Sequence, residues 1–312
     1  MDLKFAEEIK NGLGSEKKYL NSMYFYDKRG SEIFQSIMKM PEYYLTRSEF
    51  EILETQKEKF YGIFKNESLN LVEFGSGDAS KTKILLKYFV DKKVDFTYMP
   101  IDISLDILNE LENNLNKEIP DLHLKTLNGD YFNCLHTLKK DKIRRSAVLF
   151  FGSNIGNFPN EKSISFINKI NNELNDGDYL VIGFDLKKDP RIIQDAYDDP
   201  HGITAEFNLN LLRRINREFN ADFDINKFKH YGMYDPRNGE ARSYIISLKD
   251  HSVNIKDLDM RVDFKYGEEI FTELSRKFNK KDIEDLAIKT NFEIVNNYYD
   301  CKEYFCVSIW KK

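Results

Sequence analysis

The sequence predicts an α/β protein built on a doubly wound parallel sheet. Three observations point there. Between residues 68 and 189, short apolar runs alternate with segments of helical period. One run, SAVLFF at 146–151, is apolar without interruption, as a strand covered on both faces requires. A Gly-rich turn, GSGDAS, leads from the first predicted strand into the first helix that follows it.

The elements follow in order. Residues 1–60 read as helical, because MDLKFAEEIKNGL and SEIFQSIMKM carry apolar residues three and four apart. Between them FYDKRGSEIF reads as polar and loop-like around Gly30. PEYYLTRSEFEIL predicts a helix capped by Thr46, with Glu49 completing a capping box. Strands are expected at 68–74, 96–103, 122–130, 146–151 and 179–186. Helices are expected from Ser80, from a Ser104 cap, and near 160–175, the last stopped by Asn175-Asp176-Gly177. After Asp189-Pro190 the alternation stops. Residues 191–218 read as mainly helical, while SYIISL (243–248) and MRVDFKY (260–266) alternate like antiparallel strands. KDIEDLAIK, FEIVNNYY and YFCVSIW restore the earlier style with one helix and two strands. The expected organisation is a sheet domain at 47–189 plus 278–312, interrupted by an α+β cap lobe made of 1–46 plus 190–277.

Composition narrows the function classes. The chain has 312 residues, 41% hydrophobic and 32% charged, with a formal net charge of −5. That supports a sizeable core and gives no chain-wide basic footprint for nucleic acid. Three cysteines are too few for a disulfide framework and form no CxxC pair. The five histidines form no HxH or HExxH array, so no metal is expected. The first residues lack an apolar signal core, and no run approaches the ~20 apolar residues of a membrane span. The expectation is a cytoplasmic monomer with no membrane partner.

The strand tips carry the first chemical signal. Gly75 and Gly77 form a turn where a ligand can approach the backbone. The dinucleotide fingerprint G-x-G-x-x-G fails because Ser80 occupies its last position. Asp102 closes the second strand, placed to accept both hydroxyls of a ribose, and Asp130 closes the third, placed to meet an adenine amino group. No phosphate-gripping lysine-serine pair is present. That set suits S-adenosylmethionine (SAM), whose one anionic group is a carboxylate that Lys81 can meet. A tight turn with two aspartate caps would use the same residues.

Further segments carry a resemblance. FYDKRGSEIF…PEYYLTRSE (25–49), EFGSGDASKT (73–82), PIDIS (100–104), GDYF (129–132), FFGSNIGNFP (150–159), AYDDPHGITAEFN (196–208) and GEEIFTELSRKF (267–278) follow one another in order. In these the chain resembles the histidine-specific SAM-dependent methyltransferase family, which includes the ergothioneine-pathway enzyme that trimethylates the histidine α-amine. The resemblance implies a Rossmann-like class I SAM methyltransferase sheet with an inserted α+β cap lobe, and SAM as methyl donor.

It also implies site residues. Gly75, Lys81, Asp102, Asp130 and Tyr131 would hold SAM. Asn157 would hold the α-amine and carboxylate of the amino-acid substrate, its carboxamide offering donor and acceptor together. Tyr43 would contact the amine near the transferring methyl; Tyr43 and Asn157 are the catalytic candidates. Tyr26 and Phe34 would wall the pocket, although core packing is the alternative for both and the better explanation of Phe34. Tyr197 would hydrogen-bond the substrate carboxylate. Glu273 and Ser275 lie two apart, so both face one side of an extended segment, and in the family this pair grips the imidazole. Two positions depart from the family pattern. Asn154 stands where Thr is usual, and Ala241 where Met is usual, which would widen the side-chain pocket. The function implied is N-methylation of the L-histidine α-amine. The competing readings are methylation of another amino acid or aromatic amine, such as a Trp-derived one, and a SAM-binding protein without catalysis.

Overall fold

The computed structural model describes residues 2–140 and 143–312. Met1, at the head of the first predicted helix, lies outside the described residues. The chain divides into two compact units, one of residues 1–44 plus 187–276 and one of residues 45–186 plus 277–312.

The second unit holds a seven-stranded sheet. Its strands are β1 (Leu69–Phe74), β2 (Phe96–Asp102), β3 (Leu127–Asn128), β4 (Arg145–Phe150), β5 (Tyr179–Asp185), β6 (Glu293–Tyr299) and β7 (Phe305–Lys311). Their spatial order is β3-β2-β1-β4-β5-β7-β6. All pairs from β3 to β5 are parallel, and β7 runs antiparallel to both its neighbours. This is the sheet that the resemblance implies. Every residue of β1 and β5 is buried, which explains their mainly apolar character. Each large aliphatic or aromatic side chain buried there, such as Val148, Ile182 or Trp310, contributes about 1.5–3 kcal/mol. The chain leaves β1 for a helix and returns through β2, then later through β4 on the other side of β1. That reversal opens a crevice at the carboxyl ends of the strands.

The third strand is shorter than 122–130. Only Leu127 and Asn128 join the β2 ladder, with Leu124 making a single bridge to Tyr98. It is a sheet edge, where short pairing is the rule. Ser104 does cap the helix Leu105–Glu118, accepting from the Ile107 N–H. No helix among the described residues is long and apolar enough to cross a membrane.

The first unit has a four-stranded sheet in the order Lys18–Tyr19, Glu269–Arg276, Glu240–Ser247, Phe228–Asp235, and a separate pair, His251–Ile255 with Met260–Phe264. Helices Leu3–Gly14, Lys28–Lys39, Pro190–Tyr197 and Ile203–Phe219 accompany them. Phe5, Phe25, Phe207, Leu211 and Ile245 share its core.

Two local expectations are corrected here. Residues 28–31 are helical, because Asp27 caps the helix Lys28–Lys39 through the Gly30 N–H at 2.7 Å. Gly30 is a packing glycine: a Cβ there would lie 1.8 Å from the Phe25 carbonyl oxygen. The helix predicted from Arg47 begins earlier and runs from Tyr44 to Phe64, so Thr46 lies inside it and is not its cap. Glu49 is buried with its carboxylate committed elsewhere.

Candidate active site

In the sheet unit the candidate cofactor residues gather at the strand tips. Gly75 and Gly77 take φ of 64° and 55°, the left-handed region that glycine enters without steric cost. A Cβ on Gly75 would also meet the Tyr131 hydroxyl at 3.1 Å. Asp102, Ile103, Asp130 and Tyr131 line a cavity of about 330 Å³. Asp102 accepts from the Ser104 N–H through Oδ1 at 2.8 Å. Asp130 caps the helix Tyr131–Leu138, its Oδ1 accepting from the Phe132 and Asn133 N–H groups. Asp130 is therefore a helix cap and Asp102 closes a turn just before one, and each carboxylate has acceptor capacity beyond these bonds. Tyr131 stacks on Phe74, with ring centroids 4.3 Å apart and planes 2° from parallel. Burial, then the charges of Asp102 and Asp130, push its phenol up to about 12. The cavity wall is thus negative, aromatic and apolar together, Ile103 being 79% exposed. These residues fit a nucleoside carried on a cationic sulfur.

Two buried glutamates support the turn, and sequence reasoning gave neither of them this part. Glu73, the last but one residue of β1, accepts from Thr82 Oγ1 at 2.7 Å and from the Tyr98 hydroxyl. Burial raises its carboxyl to about 7 against the opposing pull of those hydrogen bonds. Glu49 accepts from the Gly152 N–H at 2.9 and 3.1 Å and pairs with Lys81. Lys81 therefore lies beside the turn that follows β4 rather than in the wall of the Asp102–Asp130 cavity. A Cβ on Gly152 would come 3.6 Å from its Nζ. Asn154 and Asn157 are the first and last residues of a 3₁₀ turn in the same loop. The Asn154 amide donates to the Phe151 carbonyl at 3.0 Å, and Asn157 is exposed.

The other candidates belong to the first unit, where they form two groups. Tyr26, Phe34 and Tyr43 make an aromatic cluster with Phe207. Tyr26 and Phe34 meet edge to face at 5.4 Å, and Phe34 and Tyr43 at 6.2 Å. In the second group the Tyr197 hydroxyl donates to Ser275 Oγ at 2.7 Å. Ser275 stands across the sheet from Ala241, and Glu273 across from Ser243, with an irregularity between Phe271 and Glu273. Desolvation, then the charge of Glu273, raise the Tyr26 phenol. His230, absent from the sequence-based candidates, is buried with Nε2 3.0 Å from the Tyr197 carbonyl oxygen. Burial keeps it below the usual imidazole range. It holds the backbone from which Tyr197 reaches Ser275.

A family model described as histidine-specific methyltransferase, SAM-dependent, matches residues 5–312. The chain is 34% identical over 276 residues to histidine N-alpha-methyltransferase of Mycolicibacterium smegmatis, covering 88% of this chain and 85% of that protein. It is 33% identical, with the same coverage, to histidine N-alpha-methyltransferase of Mycobacterium tuberculosis. It is also 31% identical over 291 residues to ergothioneine biosynthesis protein 1 of Schizosaccharomyces pombe, covering 89% of this chain and 37% of that protein.

Proposed function

The chain belongs to the histidine-specific, SAM-dependent methyltransferase family, and we propose that it methylates the α-amine of L-histidine, up to trimethylation. The observation that carries the reading is the family match, which runs from residue 5 to residue 312 and so through both units.

When bound, SAM supplies an electrophilic methyl group on a sulfonium, so the protein needs no strong base. The chain's own residues must bind, orient and handle one proton. Asp102 is assigned to the ribose hydroxyls. The Asp130 oxygen not used in capping is assigned to the adenine amino group, with Ile103 and Tyr131 against the base. Lys81 is assigned to the cofactor carboxylate. An α-amine has a pKa of about 7.7–8.0, so a useful neutral fraction exists near pH 7. Asn157 and Tyr43 aim it, and its proton leaves through the Tyr43 hydroxyl or water.

Glu273 and Ser275 are assigned to the imidazole. A neutral imidazole carries one N–H donor and one acceptor, and a carboxylate beside a hydroxyl can satisfy both. A phenyl ring leaves that carboxylate unpaired, and an indole, which is a donor only, leaves the hydroxyl without its acceptor, so neither ring satisfies the pair as an imidazole does. Tyr197 already donates to Ser275 Oγ, so we assign it to steadying Ser275 instead of binding the substrate carboxylate. Tyr26, Phe34 and Tyr43 offer aromatic faces that tolerate a growing trimethylammonium.

The test is mass spectrometry of histidine, tryptophan and tyrosine incubated separately with protein and SAM. One to three added methyls on histidine, and none on the others, is the expected result. SAM binding by calorimetry with no product from any of the three would overturn the reading.

A further inference from the structure

We propose that Glu49 is a positioning residue for the amino-acid end of the cofactor, acting through Lys81; the proposal rests on the assignment of Lys81 made above. Glu49 comes from the helix Tyr44–Phe64 and is 1% exposed. A carboxylate persists in such a place only when paired and hydrogen-bonded. This one holds two groups from different strand tips: the Lys81 ammonium, beyond β1, and the Gly152 N–H, beyond β4. These are the adjacent strands at which the sheet reverses direction. The space is made on purpose by a third residue. Gly183 on β5 lies against Glu49, and a Cβ there would stand 2.6 Å from Oε1.

The Lys81 side chain is 24% exposed, while its partner is buried. A cation anchored from inside and still reachable from outside is preorganised for a second carboxylate. Without Glu49, Lys81 would turn to water and the Gly152 N–H would lose its acceptor. The nucleoside end, held by Asp102 and Asp130, uses neither group. Glu49 therefore governs one end of the ligand.

Two thioether probes separate the ends. S-adenosylhomocysteine keeps the amino-acid carboxylate; 5′-methylthioadenosine keeps the nucleoside and lacks it. Calorimetry gives the affinity of each for the full-length protein and its variants. Lys81→Met and Glu49→Ala are each expected to lower the preference for S-adenosylhomocysteine by about tenfold, with little change toward 5′-methylthioadenosine. The double variant should lose no more than either alone. Equal weakening of both probes by Glu49→Ala, or no change in either, would overturn the proposal. A preference that falls in Lys81→Met and survives in Glu49→Ala overturns it while leaving the Lys81 assignment standing. If the preference survives in Lys81→Met, that assignment itself fails. Should Glu49→Ala not fold, Glu49→Gln carries the test. It is expected to reduce the preference in the parent and add nothing in Lys81→Met, and additive losses would overturn the proposal.

Discussion

The two units build their candidate sites from different materials. In the sheet unit the strand tips are made of backbone: two glycines with positive φ, and two aspartates that bond main-chain N–H groups, Asp130 as a helix cap. In the other unit the candidates are side chains braced by side chains. Rings meet edge to face, Tyr197 bonds Ser275, and Glu273 projects from an irregular strand. Backbone sites depend on few residue types and tolerate change elsewhere. Side-chain sites can be retuned by a single substitution at a neighbour such as Ala241. A cofactor common to many reactions suits the first construction, and a substrate that must be told from its analogues suits the second.

The largest effect expected concerns the support beneath the glycine turn. Glu73 titrates at about 7 in the fold against an ordinary 4.5, so between those values the folded state holds a proton that the unfolded chain has released. Stability should therefore fall as pH rises from about 4.5 to about 7, by roughly 3 kcal/mol in total. Glu73→Gln should flatten that part of the profile in urea unfolding at pH 5 and pH 8. An identical pH slope in parent and variant would show that the turn does not rest on this group. A smaller effect is expected for Asp102→Ala, which removes a charged acceptor. The Kd for SAM should rise about thirtyfold, with the KM for histidine nearly unchanged. Equal changes in both would erase the division between the two sites. Tyr197→Phe should act in the opposite sense and more weakly. Loss of the hydroxyl bonded to Ser275 should raise the histidine KM five- to tenfold, about 1 kcal/mol, and leave SAM titrations unaltered.

The same contrast explains what could be read from the chain. Strands β1, β4 and β5 are buried along nearly their whole length, so most of their residues are apolar and visible as runs. The strand Phe228–Asp235 escaped notice because its inward positions after Phe228 are His230 and Gly232. Both are dictated by the Tyr197 carbonyl, which His230 contacts and which would lie 2.4 Å from a Cβ on Gly232. Polar and small residues on an inward face hide the period-two signal. Gly75, Asp102 and Asp130 were legible because turn and cap chemistry is local. Glu49 was misread for the same reason. Local logic makes Thr46 and Glu49 a capping box, whereas its real partners, Lys81, Gly152 and Gly183, are distant in sequence. The residues of the other unit had no local signature, and only resemblance singled them out.

The division of labour is tested most directly by Glu273→Ala, assayed by SAM calorimetry and by histidine methylation on one preparation. The expected outcome is a loss of about 100-fold in kcat/KM for histidine, with the SAM Kd within twofold of the parent. Histidine turnover that survives the substitution, or a SAM Kd that rises in step with the lost turnover, would contradict it.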